Sequence, residues 1–358
     1  MSEPTPLADF HRANGAVFGE TGALPVHFGD PAREYAEARD GAGLIDRSDR
    51  GLLQFTGPDR VPFLQGMLSN DLRALKPFDG QNAAILTQQG KVIADVRVLC
   101  AMNSFYLDFW ASLKEKILAH LNRYLVADEV EIADRSNEYV FISVRGPRAE
   151  ALVRAVASVA DLPSRTKQHA MITLDGAAVC IVREDPGAPV YDLILPRASA
   201  IAIARRLTAA GTPLPVAWIG TEAQEVLRVE AGIPLYGVDF GEENLLLEVG
   251  LADAVSFTKG CYLGQEIVER IRSRGHVNKK LCGLVLDGAV AAQPGDRLQS
   301  GGKEAGAVTS SVLSPRLGRP IALGYVAKEF WEPGTVLTIE RGAGIRARVT
   351  ELPFAASS

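Results

Sequence analysis

Followed from end to end, the apolar and polar positions of this chain change texture once, after about Lys280. Before that point, short alternating runs are interleaved with longer stretches in which apolar residues recur every three or four positions, the periods of strand and helix respectively. The spacing predicts helices at Pro31–Asp40, Val61–Met67, Ser112–Leu125, Arg148–Ala160, Ala198–Ala209 and Thr221–Ala231. The clearest is Ser112–Leu125, with Leu113, Ile117, Leu121 and Tyr124 on one face. Strands are predicted at Leu52–Phe55, Ala83–Thr87, Val92–Cys100, Phe105–Phe109, Val130–Ala133, Tyr139–Val144, Met171–Leu174, Ala178–Arg183 and Val190–Leu195. Gly41-Ala-Gly43 reads as a glycine-rich turn with no strand leading into it, and so not as a dinucleotide loop. Strands followed by helices, without regular β-α-β alternation, indicate α+β layers rather than a doubly wound sheet. After about Lys280 short strands are punctuated by Asp-Gly, Pro-Gly and Gly-Gly turns and no long helix remains, the pattern of a small β-barrel or sandwich.

A length of 358 residues suits two or three domains of ordinary globular composition. The net charge of −5 argues against a protein built to coat nucleic acid or an anionic membrane. No apolar run approaches the roughly 18 residues of a membrane span, and the first residues show no leader pattern, so a cytoplasmic protein is expected. The four cysteines (100, 180, 261 and 282) form no C-x-x-C pair, and the five histidines are scattered. Such spacing suits neither a disulfide framework nor a metal site.

The chemistry concentrates in Lys259-Gly-Cys-Tyr-Leu-Gly-Gln-Glu266. Here Cys261 stands between glycines, beside a lysine and ahead of an amphipathic run from Ile267 to Ile271. A thiol at a helix N-terminus near a cation ionises more readily, so Cys261 is a candidate nucleophile, and a small residue in a tight turn is the plainer alternative. His276 could serve it as a base. Residues 259–280 hold six basic residues against two acids, which suits a multiply anionic ligand. Helical pairing of Glu266 with Arg270 and Glu269 with Arg272 would account for two of the six.

Several segments resemble the aminomethyltransferase-fold superfamily, which includes the glycine-cleavage T-protein and the YgfZ-type folate-binding proteins that support iron–sulfur cluster assembly. Gly43-Leu-Ile-Asp46, Phe55-Thr-Gly-Pro-Asp59 and Phe63 to Asp71 resemble its amino-terminal region. Leu227 to Gly232 and Leu235 to Asp239 resemble its central segment, and Val308 to Ser310, Ser314-Pro315, Ile321 to Val326 and Leu352-Pro-Phe354 its terminal barrel. K-G-C-[FY]-x-G-Q-E, present at Lys259–Glu266, is the mark of the YgfZ-type branch, since T-proteins lack that cysteine.

The resemblance implies an α+β fold of three domains in a ring: two interleaved α+β domains over residues 1–275, with boundaries near 50, 140 and 220, and a C-terminal β-barrel over 276–358. It implies tetrahydrofolate, or a polyglutamylated folate, as ligand. Asp95 falls where T-proteins carry a paired acid at the folate nitrogen that receives the one-carbon unit, but Ala94 replaces the other acid. Asp192 falls where a glutamate accepts hydrogen bonds from the pterin, one methylene shorter and after Pro186-Gly-Ala-Pro189. Arg228 could bind folate carboxylates and Tyr236 could line the channel, with Lys259 and Gln265 of the octapeptide beside them; Glu230 reads as a structural ion-pair residue. The branch implies a folate-binding accessory protein working through Cys261, with iron–sulfur proteins or their assembly factors as partners. The alternative is a tetrahydrofolate-dependent aminomethyl or methyl transferase like the T-protein, and a third is an interaction module that has lost its ligand.

Overall fold

The computed structural model describes residues 5–20, 22–157, 161–185, 188–210, 216–274, 277–341 and 344–354. The chain divides into two compact units. The first comprises Met1–Gln65, Asp71–Ala83 and Val96–Gln224, and the second Gly66–Asn70, Ala84–Asp95 and Glu225–Ser358. The content is α+β, with a C-terminal barrel. No helix among the described residues is long and apolar enough to cross a membrane.

The first unit contains a six-stranded sheet in the order His169–Leu174, Ala177–Glu184, Val190–Pro196, Tyr139–Arg145, Ala42–Asp46, Val216–Trp218. All its documented pairings are antiparallel except the last, Val216–Trp218 on Ala42–Asp46. Leu152, Val153 and Val156 of helix Ala149–Ala157, and Ile203, Ala204 and Leu207 of helix Ala200–Ala209, close one apolar core with its strands. Helix Pro31–Asp40 begins as its sequence dictates: Asp30 caps the amides of Ala32 and Arg33, and Pro31 fills the first turn, where no amide partner is needed.

The turn expected at Gly41–Gly43 is instead the start of strand Ala42–Asp46, buried along its whole length. Gly43 is small because a side chain there would meet Ile219 at 2.7 Å and Ala38 at 2.9 Å. Close packing, rather than turn formation, demands that glycine.

A five-stranded sheet runs Gly80–Leu86, Val92–Cys100, Phe105–Trp110, Arg50–Thr56, Glu131–Asp134. The division between units falls inside its first two strands. Within the first unit, Leu52 and Leu99 of this sheet pack with Phe141, Val182 and Ile194 of the six-stranded sheet.

The second unit carries the closed six-stranded barrel, in the order Lys279–Leu286, Arg319–Ala327, Lys303–Ser314, Arg297–Ser300, Val336–Ile339, Ile345–Thr350. Alternate residues such as Leu284, Leu298, Val326, Leu337 and Val349 fill its interior. A separate core gathers Ala84, Leu86 and Val92 with Phe240, Leu246, Val249, Tyr262 and Val268.

Candidate active site

In the first unit the candidate side chain is Asp192, on strand Val190–Pro196. Its cross-strand neighbour is Ser143, whose hydroxyl donates to one carboxylate oxygen at 2.5 Å. Arg97 Nη1 donates to the other at 2.5 Å and to Glu184 at 2.9 Å, while Arg97 Nη2 lies 2.5 Å from Asp108. Arg50 donates to Asp108 at 2.6 Å, and Lys167 to Glu184. Burial would raise the Asp192 pKa, but the charges of Arg97 and Arg47 and the Ser143 hydroxyl outweigh it and hold the group below the usual carboxylate range. Asp192 is therefore ionised at neutral pH and locked in orientation. Its side chain keeps 13% exposure, and each oxygen retains an acceptor position. That capacity fits the paired N–H donors of a pterin edge.

Arg97 was not singled out from the sequence, although a signal exists. It is the only basic residue in the apolar strand Val92–Cys100, and a buried cation requires a partner.

In the second unit, Asp95 is the one residue of Val92–Cys100 that is not buried. An acid at the half-exposed position of such a strand can meet a ligand without leaving its sheet.

The octapeptide divides sharply by role. Lys259 is buried and donates to the carbonyls of Leu68 at 2.6 Å and Asn70 at 2.9 Å, with Nζ 5.0 Å from the centre of the Tyr262 ring. Tyr262 lies in the core around Phe240. Gly264 has φ +86° and turns its α-carbon toward the Thr87 carbonyl, which an added β-carbon would meet at 2.6 Å. Cys261 is exposed. The helix begins only at Gln265, so Cys261 stands in the preceding loop and not at the helix N-terminus expected for it. His276, its suggested base, lies outside the described residues.

Arg228 and Tyr236 sit in the same unit with different freedom. All five Arg228 N–H donors are engaged: Nε and Nη2 with Glu225, Nη1 with Asp239 and the Ile233 carbonyl, and Nη2 again with Ser310. A folate carboxylate would have to displace one of these. Tyr236 is half-buried, its ring edge-on to Phe240 at 5.3 Å. Glu230 holds Ser314 and lies 3.7 Å from Arg316.

Four of the six basic residues of 259–280 make contacts within the fold. Beside Lys259, Arg272 donates to the Phe257 carbonyl, Lys279 stacks on Tyr325 and Lys280 on Trp331.

Two family models cover the chain: the GCVT N-terminal domain over residues 7–259, and the glycine cleavage T-protein C-terminal barrel domain over 279–355. A protein named aminomethyltransferase from Rubrobacter xylanophilus is 35% identical over 98% of this chain and 93% of its own length. One of the same name from Bacillus subtilis is 30% identical over 99% of each. The crystal structure of glycine cleavage system aminomethyltransferase T from Bartonella henselae superposes with a TM-score of 0.91 at 26% identity, covering 99% of this chain and 98% of that one.

These likenesses overturn the expectation of an iron–sulfur accessory protein and favour the transferase alternative. The physical reason lies in the octapeptide, where Lys259, Tyr262 and Gly264 serve packing and backbone bonding that the fold itself requires. The octapeptide alone carried the branch assignment, and one short segment does not outweigh likeness along the whole chain. Matched in both its parts and over its full length, the chain belongs to the glycine-cleavage T-protein, or aminomethyltransferase, family.

Proposed function

We propose that this chain transfers a one-carbon unit from an aminomethyl donor to tetrahydrofolate, the substrate its family uses. The observation that carries this is the full-length likeness to proteins named aminomethyltransferase. Asp95 is assigned to the folate nitrogen that receives the carbon. As that nitrogen attacks, a nitrogen–carbon bond forms, the donor's carbon–nitrogen bond breaks and the amine leaves as ammonia; a second folate nitrogen then bonds the same carbon while the carbon's bond to its carrier breaks, the carrier leaving with that bonding pair and the second nitrogen's proton. The proton shed by the folate nitrogen passes to the Asp95 carboxylate and on to ammonia, and the same negative charge steadies the cationic carbon in transit. Asp192 accepts the pterin N–H pair on the lone pairs that Ser143 and Arg97 leave open. Tyr236 and Gln265 remain folate contacts in this scheme, whereas Arg228 and Lys259 serve the fold.

The test is turnover of an aminomethyl donor by the purified protein with tetrahydrofolate, followed as methylene-tetrahydrofolate. The wild type should turn over, and Asp95→Asn should lose about 10²- to 10⁴-fold in kcat, the usual worth of a positioned acid–base group. A wild type with no turnover overturns the assignment.

A further inference from the structure

Arg97 is nine-tenths buried and gathers three carboxylates, those of Asp108, Glu184 and Asp192. Two of the three hold a second cation: Asp108 has Arg50 and Glu184 has Lys167. Asp192 has no other ion-pair partner among the described residues, and its remaining direct contact is the neutral Ser143 hydroxyl. It therefore depends on Arg97 more than either of its neighbours does.

We propose that Arg97 is a positioning residue for folate binding, fixing the plane of the Asp192 carboxylate so that its two open acceptor positions meet the N–H pair of the pterin. The proposal rests on the folate assignment of Asp192 made above. Aspartate has one methylene fewer than glutamate, so it has less reach with which to adjust to a ring and must be aimed from outside. A guanidinium suits this task because it is planar and bonds in fixed directions, as an ammonium does not. Charge matters as well as aim. The groups facing Asp192 directly or through Arg97 are Arg97, Arg47, Ser143, Glu184 and Asp108, with Arg50, Lys167 and His169 beyond them. Without Arg97, the two acids, each keeping its own cation in Arg50 or Lys167, and burial would be opposed at Asp192 itself by Arg47 and Ser143, and Asp192 would take up a proton at higher pH. A protonated carboxyl offers a donor where the pterin also offers one.

The experiment is calorimetric titration with tetrahydrofolate from pH 5 to 8, on wild type and three variants. Arg97→Met should weaken binding by about 10- to 100-fold and move the pH at which binding is lost upward by about one unit. Arg97→Lys keeps the charge but not the fork, so affinity should fall about five-fold with the acid limb near its wild-type place. Ser143→Ala, which removes the other hold on Asp192, should also weaken binding, by about five- to ten-fold. A folded Arg97→Met that binds as wild type with an unmoved acid limb overturns the proposal. Should that variant fail to fold, wild-type binding by both Arg97→Lys and Ser143→Ala overturns it. Failure of the wild type itself to bind tetrahydrofolate would instead refute the folate assignment.

Discussion

Replacing Lys259 by methionine keeps the apolar stem and removes the ammonium that joins the octapeptide to the Leu68 and Asn70 carbonyls. Each such charge-assisted bond is worth about 1.5–3 kcal/mol net. Contact with the Tyr262 ring adds about 0.5–2 kcal/mol. Against these stands the desolvation cost of a buried ammonium, which the substitution relieves. The balance is a loss of about 2–4 kcal/mol, and it should be local. Amide hydrogen exchange reads it where the two segments are tied: Leu263 N–H donates to the Gly66 carbonyl, Ser256 N–H to Ser69 and Ser69 N–H to Ala84. At 1.4 kcal/mol per factor of ten, these three amides should exchange at least about 30-fold faster in Lys259→Met. Wild-type exchange at all three would refute the structural role given to Lys259, and with it the reason for discounting the octapeptide as a mark of function.

Two further outcomes test other parts of the molecule. Cys261→Ser should leave turnover within about two-fold and stability within about 0.5 kcal/mol, as for an exposed surface position. In the folded wild type a maleimide should label Cys261 first, because burial pushes the Cys180 thiol up to about 12 and Cys282 to about 11; prior labelling of either would contradict the fold. Burial, reinforced by the charge of Arg97, lowers the His169 pKa to about 4. The unfolded imidazole titrates near 6.5, so between those values the unfolded state binds more protons and stability falls as pH falls, by roughly 3 kcal/mol across the window. Denaturant titrations at pH 4.5 and 7 should show a smaller drop for His169→Gln than for wild type, and equal drops would refute the assignment.

Much of the architecture was legible because burial imposes simple periods. Val92–Cys100, Pro31–Asp40 and the start of Thr221–Glu230 lie where their patterns place them, and the turn-rich C-terminal region closes as a barrel. Strand Ala42–Asp46 was missed because its glycine serves a close approach to Ile219 and Ala38, which no local pattern reveals. The assembly of Asp192 with Arg97, Glu184 and Asp108 was hidden for a related reason. Its members come from four strands of two different sheets, and their meeting is a property of how those sheets pack in the first unit rather than of spacing along the chain. Asp95 and Asp192 were reached only through family resemblance, and the octapeptide misled because its most regular positions answer to packing.

Lys259 meets Leu68 across 191 residues of chain. At a ribosomal pace of about 5–20 residues per second, the segment around Leu68 waits roughly 10–40 s for its anchor to be made. During that interval the apolar residues Ala84, Leu86 and Val92 have emerged without Phe240, Tyr262 and Val268 to cover them. The nascent chain thus carries a sticky, half-built patch through most of its own synthesis, and translation speed and chaperone supply become determinants of yield as surely as any contact in the finished molecule.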